Sequence, residues 1–220
     1  MPKKKPLTIC LISGASSVGK SMLEGKLRGK IPGISIMDID NAREAFRVLY
    51  NQLGLTAPDW ILKSTKELAL EDFKAQSKEV CEQTLPFIIN EKMKKGDRRG
   101  MIITGVNIIP GHFDASQCSD VKVIQLLLKI DDREKHWKWY NEKIKSDNRP
   151  ESKIDIQQKF EKIREIQDYL TSEAQKHNIP IIENDRNAIN KIIKEMDIKR
   201  GVFSLWNHKR KQQDVKLDKD

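Results

Sequence analysis

Residues 14 to 21 read Gly-Ala-Ser-Ser-Val-Gly-Lys-Ser and fit the phosphate-loop pattern GxxxxGK[ST]. The glycines let backbone N–H groups turn inward around an anion, and the helix that follows points its positive dipole end at the same spot. Lys20 is predicted to reach the β- and γ-phosphates, and the Ser21 hydroxyl to ligate Mg²⁺. The pattern therefore predicts binding of a nucleoside triphosphate, with ATP as the expected donor. The residues predicted to contact it are Gly14, Ala15, Ser16, Ser17, Val18, Gly19, Lys20, Ser21 and Met22.

A second set of polar residues follows at Asp38-Ile-Asp40-Asn-Ala-Arg43, and Arg47 comes one helical turn later. This set is predicted to begin at the end of the second strand, which faces the phosphate loop across the crevice of a parallel sheet. Asp40 can accept a proton from an attacking hydroxyl, and Arg43, on the same helix face, can hold an anionic substrate bidentately. The alternative is that Asp40 only caps the helix and Arg43 is a surface residue. Beside a phosphate loop we favour the catalytic interpretation.

Short apolar stretches alternate with helical patterns along the chain, and these elements must position both sets of residues. Such alternation predicts a parallel sheet with helices on both faces and ligands at the carboxyl ends of the strands. We therefore predict an α/β fold of the P-loop NTPase class, nucleotide-kinase-like, with a helical lid. The predicted strands are 7–13, 34–38, 100–104, 121–130 and 179–182, and the predicted helices are 20–28, 41–51, 64–95, 131–146, 152–177 and 187–196.

The third predicted helix contains Pro86, which is expected to kink or split it. Its apolar spacing predicts that Leu68, Phe73, Val80 and Phe87 face inward. At the level of domains, we predict one kinase domain over residues 1–198, with the lid at 131–153, and a basic, flexible tail over residues 199–220.

In four segments, taken in order, the chain resembles the archaeal 2-phosphoglycerate kinases of the P-loop kinase superfamily. The first segment, ISGASSVGKS, is shared widely among NTPases. The other three are more particular to the family. They are Asp40-x-x-Arg43-Glu44-x-x-Arg47, Gly105-Val106-x-x-x-Pro110-Gly111, and Ile163-Arg164-x-Ile166-Gln167-Asp168-Tyr169-Leu170 followed by Ile179-Pro-Ile-Ile-Glu183-Asn184.

In such enzymes ATP phosphorylates the 3-hydroxyl of 2-phosphoglycerate. The resemblance implies that Lys20 and Ser21 handle ATP·Mg²⁺ and that Asp40 lies near the acceptor hydroxyl. It also implies that Arg43, Arg47, Gly105 and Asn107 meet the substrate. Two positions depart from the family pattern, because Thr104 stands where a glutamate is usual and Asn107 where a histidine is usual. Asp38 is the acid expected to compensate for the missing glutamate at the Mg²⁺ site.

The segment after the fourth strand carries Arg133 and Arg149 around His-Trp-Lys-Trp-Tyr at 136–140. In P-loop kinases this position holds a closing lid, whose arginines neutralise the transferring phosphoryl group and exclude water. We therefore include Arg149 among the catalytic residues. The alternative is an ordinary solvated helix with Trp137 or Trp139 packed inward.

The net charge of +9 permits a polyanionic partner and equally suits a small, highly phosphorylated substrate. The basic residues are scattered, so nucleic acid is permitted but not favoured. No membrane partner is expected, because no apolar stretch approaches the ~18 residues of a membrane span. Cys10, Cys81 and Cys118 have no CxxC spacing and are expected to be reduced and structural, and we predict a cytoplasmic protein.

These observations favour an ATP-dependent small-molecule kinase acting on the hydroxyl of 2-phosphoglycerate or a similar phosphorylated hydroxy acid. A polynucleotide 5′-hydroxyl kinase is the alternative, since an Asp-x-x-Arg pair after a phosphate loop also occurs in that class. A non-catalytic nucleotide-binding module is a third interpretation, and Thr104 is the main argument for it.

Overall fold

The centre of the molecule is a parallel sheet whose strands follow the order β2-β3-β1-β4-β5. The computed structural model describes residues 6–31, 33–56, 68–95, 100–118, 120–146 and 152–196. Within these ranges the strands are β1 (Leu7–Ser13), β2 (Ser35–Asp38), β3 (Met101–Gly105), β4 (Val121–Lys129) and β5 (Ile181–Glu183). All five lie within two residues of their predicted positions, because short continuous apolar runs bounded by turn residues are typical of buried parallel strands.

Helices connect the strands and cover both faces of the sheet. They are α1 (Lys20–Lys30), α2 (Ile39–Gln52), α3 (Leu70–Glu79), α4 (Leu85–Lys94), α5 (Arg133–Ser146), α6 (Lys153–Lys176) and α7 (Ala188–Glu195). β3 is buried at every position and β1 at all but one, which requires cover on both sides. The predicted α/β fold with a parallel sheet is therefore confirmed.

The register of the strands aligns their carboxyl ends at one edge. Ser13 at the end of β1 pairs with Gly105 at the end of β3, and Thr104 pairs with Asp38 at the end of β2. The phosphate loop leaves β1 at the same edge. Ligands bind at this edge in open parallel sheets, so the register brings both predicted sets of polar residues together.

A π-helical turn over Val80–Thr84 lies between α3 and α4 and ends two residues before Pro86. Proline has no backbone N–H, so the break predicted here takes the form of a wider turn within one continuous helical stretch. A π-helical turn contains one more residue than an α-helical turn, so the residues of α4 that face the core are shifted from those that a regular α-helix would present. Leu85 and Ile89 are buried, whereas Phe87 is 65% exposed, so its predicted inward position is wrong.

The second helix begins two residues earlier than predicted because Asp38 caps it. Asp38 Oδ1 accepts hydrogen bonds from the backbone N–H of Asp40, at 2.8 Å, and of Asn41, at 3.4 Å. The alternative interpretation of Asp40 as the cap is therefore wrong. Because the cap is Asp38, the Asp40 carboxylate is available to the site.

The described part of the predicted lid segment is helix α5, which packs on the core. His136 and Tyr140 are buried in it, and His136, Trp137 and Tyr140 all contact the ring of Phe160 on α6. Arg149 and the basic tail lie outside the described residues, and the lid assignment stays a prediction. Within the described ranges no helix is both long and apolar enough to span a membrane.

Candidate active site

The backbone of the phosphate loop holds two left-handed residues, Ser17 with φ of 61° and Gly19 with φ of 88°. Side chains from other elements engage the loop's carbonyl groups. His136 Nε2 lies 2.9 Å from the Ser16 carbonyl oxygen, and Asn184 Nδ2 donates to the Val18 carbonyl oxygen at 2.6 Å. None of the backbone N–H groups of residues 15 to 19 donates to another described residue. The loop is therefore oriented to present donors to an anion.

Gly19 is required by its surroundings as well as by its φ angle. A Cβ atom there would lie 2.5 Å from Asn184 Nδ2 and 2.7 Å from Trp139 Cζ3. Gly14, at the start of the loop, is similarly confined, since its Cβ would lie 2.7 Å from the carbonyl oxygen of Leu128. Both glycines of the sequence pattern therefore serve close packing around the loop.

Lys20 is buried at the start of α1, and its ammonium group turns back onto the loop. Its Nζ donates to the carbonyl oxygens of Gly14, at 2.7 Å, and Ala15, at 3.0 Å, and lies 3.7 Å from Asp40 Oδ2. Burial lowers the pKa of Lys20, while the charges of Asp40 and Asp38 oppose that shift. The structure thus places the predicted phosphate-binding lysine beside the predicted base.

Asp40 projects from the first turn of α2 toward the end of β3. Its two carboxylate oxygens lie 3.2 and 3.3 Å from the backbone nitrogen of Val106, which donates to them. A Cβ atom on Gly105 would lie 3.6 Å from Asp40 Oδ1, so Gly105 lies against this carboxylate as well. The segment after β3 therefore holds this carboxylate in place.

Arg43 is only 6% exposed, although its side chain carries a full charge. No described residue accepts a hydrogen bond from its buried Nε or Nη1. Buried N–H donors that lack an acceptor are costly, which makes this guanidinium a strong candidate for binding an anionic ligand. Arg47 belongs to α2, but its side chain is outside the described set, and its role stays a prediction.

Three carboxylates share the pocket with Lys20. Glu24, one turn after Lys20 on α1, accepts a hydrogen bond of 2.5 Å from the hydroxyl of Thr104. Burial raises the pKa of Glu24, and burial followed by the charge of Asp40 raises the pKa of Asp38. Clustered, partly buried carboxylates beside Lys20 are the oxygen donors that Mg²⁺ prefers. The residues present therefore fit the ion, with Glu24 as a donor that the sequence analysis missed.

Asn107 is buried, and its side-chain amide donates hydrogen bonds to helix α3. Its Nδ2 donates to Gln76 Oε1 at 2.8 Å and to Ser77 Oγ at 3.0 Å, both on α3. Both N–H donors of the amide are committed to these contacts. Asn107 thus fastens the segment after β3 to α3, and its direct contact with substrate stays a prediction.

Three further residues that support the loop were missed by the sequence analysis. His136 contacts Ser16 through Nε2 and accepts from Arg164 Nη1 at its Nδ1, 3.4 Å away. Arg164 also donates to the carbonyl oxygen of Ile130 at 2.8 Å, and Asn184 holds Val18. Asn184 comes two residues after the predicted strand 179–182, which is the local signal that could have identified it.

Of the two arginines predicted to belong to the lid, only Arg133 lies within the described residues. The Arg133 guanidinium pairs with Glu161 and lies over the ring of Phe160, so within the described residues its partners are on α6. Arg149 is outside the described residues, and its catalytic role stays a prediction.

The three cysteines are unpaired and buried, as expected of structural thiols. Burial raises the pKa of Cys81 to about 11, so its thiol is protonated near neutral pH. The prediction of reduced, structural cysteines is therefore supported by their placement.

Curated relatives of this chain are archaeal proteins named 2-phosphoglycerate kinase. The protein of Methanococcus maripaludis strain C6 is 28% identical over 195 residues, covering 82% of this chain and 61% of the relative. That of Methanopyrus kandleri is 27% identical over 194 residues, covering 83% and 58%, and that of Pyrococcus horikoshii is 26% identical over 193 residues, covering 83% and 61%. The chain thus spans about three fifths of the length of these relatives. They confirm the predicted resemblance.

No protein-family model matches the chain. Among solved structures, a gluconokinase from Sinorhizobium meliloti 1021 is similar with a TM-score of 0.44 and 10% identity, covering 99% of this chain and all of that one. A shikimate kinase from Acinetobacter baumannii is similar with a TM-score of 0.42 and 15% identity, covering 88% and 92%. The strand order and the phosphate loop described above define a parallel α/β fold of the P-loop NTPase class in this chain.

Proposed function

We propose that this protein is an ATP-dependent small-molecule kinase that transfers the γ-phosphoryl group to the hydroxyl of 2-phosphoglycerate or a similar phosphorylated hydroxy acid. One observation carries the proposal: Asp40 Oδ2 lies 3.7 Å from Lys20 Nζ, and Asp40 shares α2 with the buried Arg43, whose Nε and Nη1 have no acceptor among the described residues. A base, a phosphate-binding cation and an anion-binding cation thus converge at one sheet edge.

The donor side of the reaction is supported by the phosphate loop. Its N–H groups in residues 15 to 19 have no described protein acceptor, and Lys20 lies within the loop's curve. ATP binding would draw the Lys20 ammonium from the Gly14 and Ala15 carbonyl oxygens toward the β- and γ-phosphates, where it offsets charge that gathers during transfer.

The acceptor side is supported by Arg43. Its fork of N–H donors matches a phosphate or a carboxylate, and burial strengthens such a contact because little water competes for it. A phosphorylated hydroxy acid carries both kinds of anionic group close to its hydroxyl. Arg47 is proposed as a second cation that binds the same substrate. Gly105 is proposed to contact the substrate beside Asp40.

Asp40 acts in the chemical step by taking the proton of the acceptor hydroxyl. The hydroxyl oxygen then forms a bond to the γ-phosphorus while the bond from that phosphorus to the β,γ-bridging oxygen breaks, and ADP leaves. The Val106 N–H holds the carboxylate in one orientation during this step. Mg²⁺, when held by Ser21 and the acids Asp38 and Glu24, would neutralise phosphate charge.

The contact between Thr104 and Glu24 argues against a purely non-catalytic module. In the sequence, Thr104 stands where the family it resembles usually has a carboxylate. In the structure, α1 supplies a carboxylate to that strand end at 2.5 Å from the Thr104 hydroxyl. A carboxylate is therefore near the position where one is expected, although it comes from a different element.

The test is a ³¹P NMR screen of the full chain with ATP·Mg²⁺ and separate acceptors: 2-phosphoglycerate, 3-phosphoglycerate, simple hydroxy acids and 5′-hydroxyl oligonucleotides. We expect a new phosphomonoester signal with 2-phosphoglycerate or a closely related phosphorylated hydroxy acid. Turnover of the oligonucleotide alone would overturn the proposal in favour of a polynucleotide kinase. Absence of transfer to every acceptor, with ATP still bound, would support the non-catalytic interpretation.

Salt dependence provides an independent check. A polymer that contacts several phosphates releases several counterions, so its binding weakens steeply as salt rises. A single small substrate should show a shallow dependence. A steep slope for KM of the acceptor would contradict the small-molecule proposal.

A further inference from the structure

A second cluster of chemically capable side chains, His112, Glu173 and His177, lies outside the proposed active site. His112 Nε2 is 2.6 Å from Glu173 Oε2, and His177 Nε2 is 3.6 Å from the same oxygen. One ligand atom from each residue lies within 4.8 Å of the other two. Two of the chain's four histidines therefore converge on a single carboxylate oxygen.

The backbone of the segment after β3 holds His112 in place. The N–H groups of His112 and Gly111 donate to the Ile109 carbonyl oxygen, at 3.2 Å, and to Gln125 Oε1, at 2.9 Å. The other end of the Gln125 amide donates to the Phe113 carbonyl oxygen at 3.5 Å. The residues on both sides of His112 are thus attached to the same side chain of β4, which orients the imidazole toward α6.

Glu173 and His177 come from one face at the end of α6, because they are four residues apart. Close packing positions the His177 ring. Gly111 has φ of 81°, and a Cβ atom on it would lie 2.2 Å from His177 Cγ. Only a glycine allows the segment after β3 to approach the imidazole so closely.

We propose that His112, Glu173 and His177 bind one divalent transition ion of the Zn²⁺ type. Two imidazole nitrogens and one carboxylate oxygen are a three-residue donor set suited to Zn²⁺, with water as the fourth ligand. Tetrahedral bonds to such ligands separate the donor atoms by about 3.3 Å. The separations of 2.6 and 3.6 Å to Glu173 Oε2 lie on either side of that value, so small side-chain rotations complete the site.

Exposure allows an ion to enter. The side chains of His112 and His177 are 35% and 36% exposed, whereas that of Glu173 is 13% exposed. The carboxylate therefore lies at the base of the cluster and the two imidazoles form its rim. A bound ion would join the segment after β3 to the end of α6, two parts of the chain far apart in sequence, and it would stabilise the fold by mass action.

Lys176 provides an internal control for the electrostatics. Its Nζ lies 3.6 Å from Glu173 Oε2 and competes for the oxygen that the ion needs. Replacing Lys176 with glutamine should tighten ion binding by about two- to fivefold, the value of one exposed ion pair. A misfolded variant would not show tighter binding, so this measurement separates the electrostatic effect from a loss of structure.

The test is calorimetric titration of the chelator-treated full chain with Zn²⁺, repeated with Co²⁺ by visible absorption. We expect one equivalent to bind. His112→Ala and His177→Ala should each weaken binding by at least about 100-fold, since loss of mere supporting contacts costs 10- to 100-fold. His112→Gln should also weaken Zn²⁺ binding by at least about 100-fold. Because glutamine can keep the hydrogen bond to Glu173, the thermal stability without Zn²⁺ should change little. His208→Ala, the matched control, should bind as the wild type does.

Several outcomes would overturn the proposal. They are the absence of saturable binding by the wild type, binding that persists in His112→Gln and His177→Ala, and binding that is lost in His208→Ala. None of these measurements involves ATP or an acceptor, so the kinase proposal stands or falls separately.

Discussion

The hydroxyl of Thr104, at the end of β3, donates a hydrogen bond of 2.5 Å to the carboxylate of Glu24 on α1. Thr104 is fully buried and Glu24 is 9% exposed, so little water can replace this contact. The pair attaches the helix that follows the phosphate loop to the strand that carries the segment holding Asp40. One hydrogen bond thus couples the donor side of the site to the acceptor side.

Thr104→Val is expected to destabilise the protein by about 1–3 kcal/mol, because it leaves a buried carboxylate without its hydroxyl donor while keeping the side-chain shape. Urea unfolding followed by circular dichroism measures the change. Thr104→Ser is the matched control, since it keeps the hydroxyl and loses one methyl group, at a cost of about 0.8 kcal/mol. Equal losses in both variants would mean that the hydrogen bond contributes nothing.

Asp40→Asn is expected to lower kcat by about 10²- to 10⁴-fold, the usual contribution of a positioned base, with ATP affinity nearly unchanged. The asparagine side-chain oxygen can still accept from the Val106 N–H, so the local structure is preserved. Single-turnover kinetics and ATP titration measure the two effects separately. Unchanged turnover would remove Asp40 from the mechanism.

Arg43→Met is expected to abolish acceptor binding and to leave the fold equally stable or more stable, by up to about 3 kcal/mol. The buried guanidinium has two nitrogens without an acceptor among the described residues, and replacing such donors with an apolar side chain removes a desolvation cost. Thermal unfolding without substrates and KM for the acceptor measure the two effects. Arg43→Lys should restore the charge but not the bidentate contact. A large loss of stability in Arg43→Met would assign the arginine a structural role.

Stability is expected to fall as the pH falls below about 6.5, in part because of His136. Burial lowers the pKa of His136, and the charges of Arg164 and Lys20 act in the same direction, while the hydrogen bond to the Ser16 carbonyl oxygen opposes them. The partners assign Nε2 as the donor and Nδ1 as the acceptor from Arg164. Protonation of Nδ1 would remove the second contact.

The sign follows from proton linkage. Just below pH 6.5 the unfolded chain binds a proton at His136 and the folded chain does not, so stability decreases as the pH falls. His136→Gln can keep the donor to Ser16 and cannot titrate, so its stability should change less between pH about 8 and about 5.5. Urea unfolding at both pH values provides the comparison. Identical pH dependence in the two proteins would exclude His136 as a contributor.

Local patterns predicted much of the fold. The strands were placed within two residues because each is a short apolar run that ends at turn residues, and α6 was recognised from its apolar stripe, in which Phe160, Ile163 and Leu170 are buried. Phe87 was placed wrongly because a π-helical turn changes the helical period, and helical spacing read from a sequence assumes a constant period.

The residues of the candidate active site likewise divide into those that local sequence predicts and those that it does not. The phosphate loop was predictable because its glycines, lysine and serine are adjacent in the chain, so their geometry is set locally. His136 and Asn184 were not, because each reaches the loop from an element more than a hundred residues later, and Arg164 was not, because it supports His136 from a different helix. Side chains that act on distant backbone leave no mark in local spacing.

The sequence alone determined a parallel α/β sheet with a phosphate loop after its first strand and an acid and an arginine after its second, because all of these are expressed in adjacent residues and short periods. Only the tertiary structure decided that Glu24 meets Thr104, that Asn184 reaches the phosphate loop, and that His112 meets Glu173. The physical reason is that strand register and helix packing, which depend on the whole core, fix the distances between side chains that are remote along the chain.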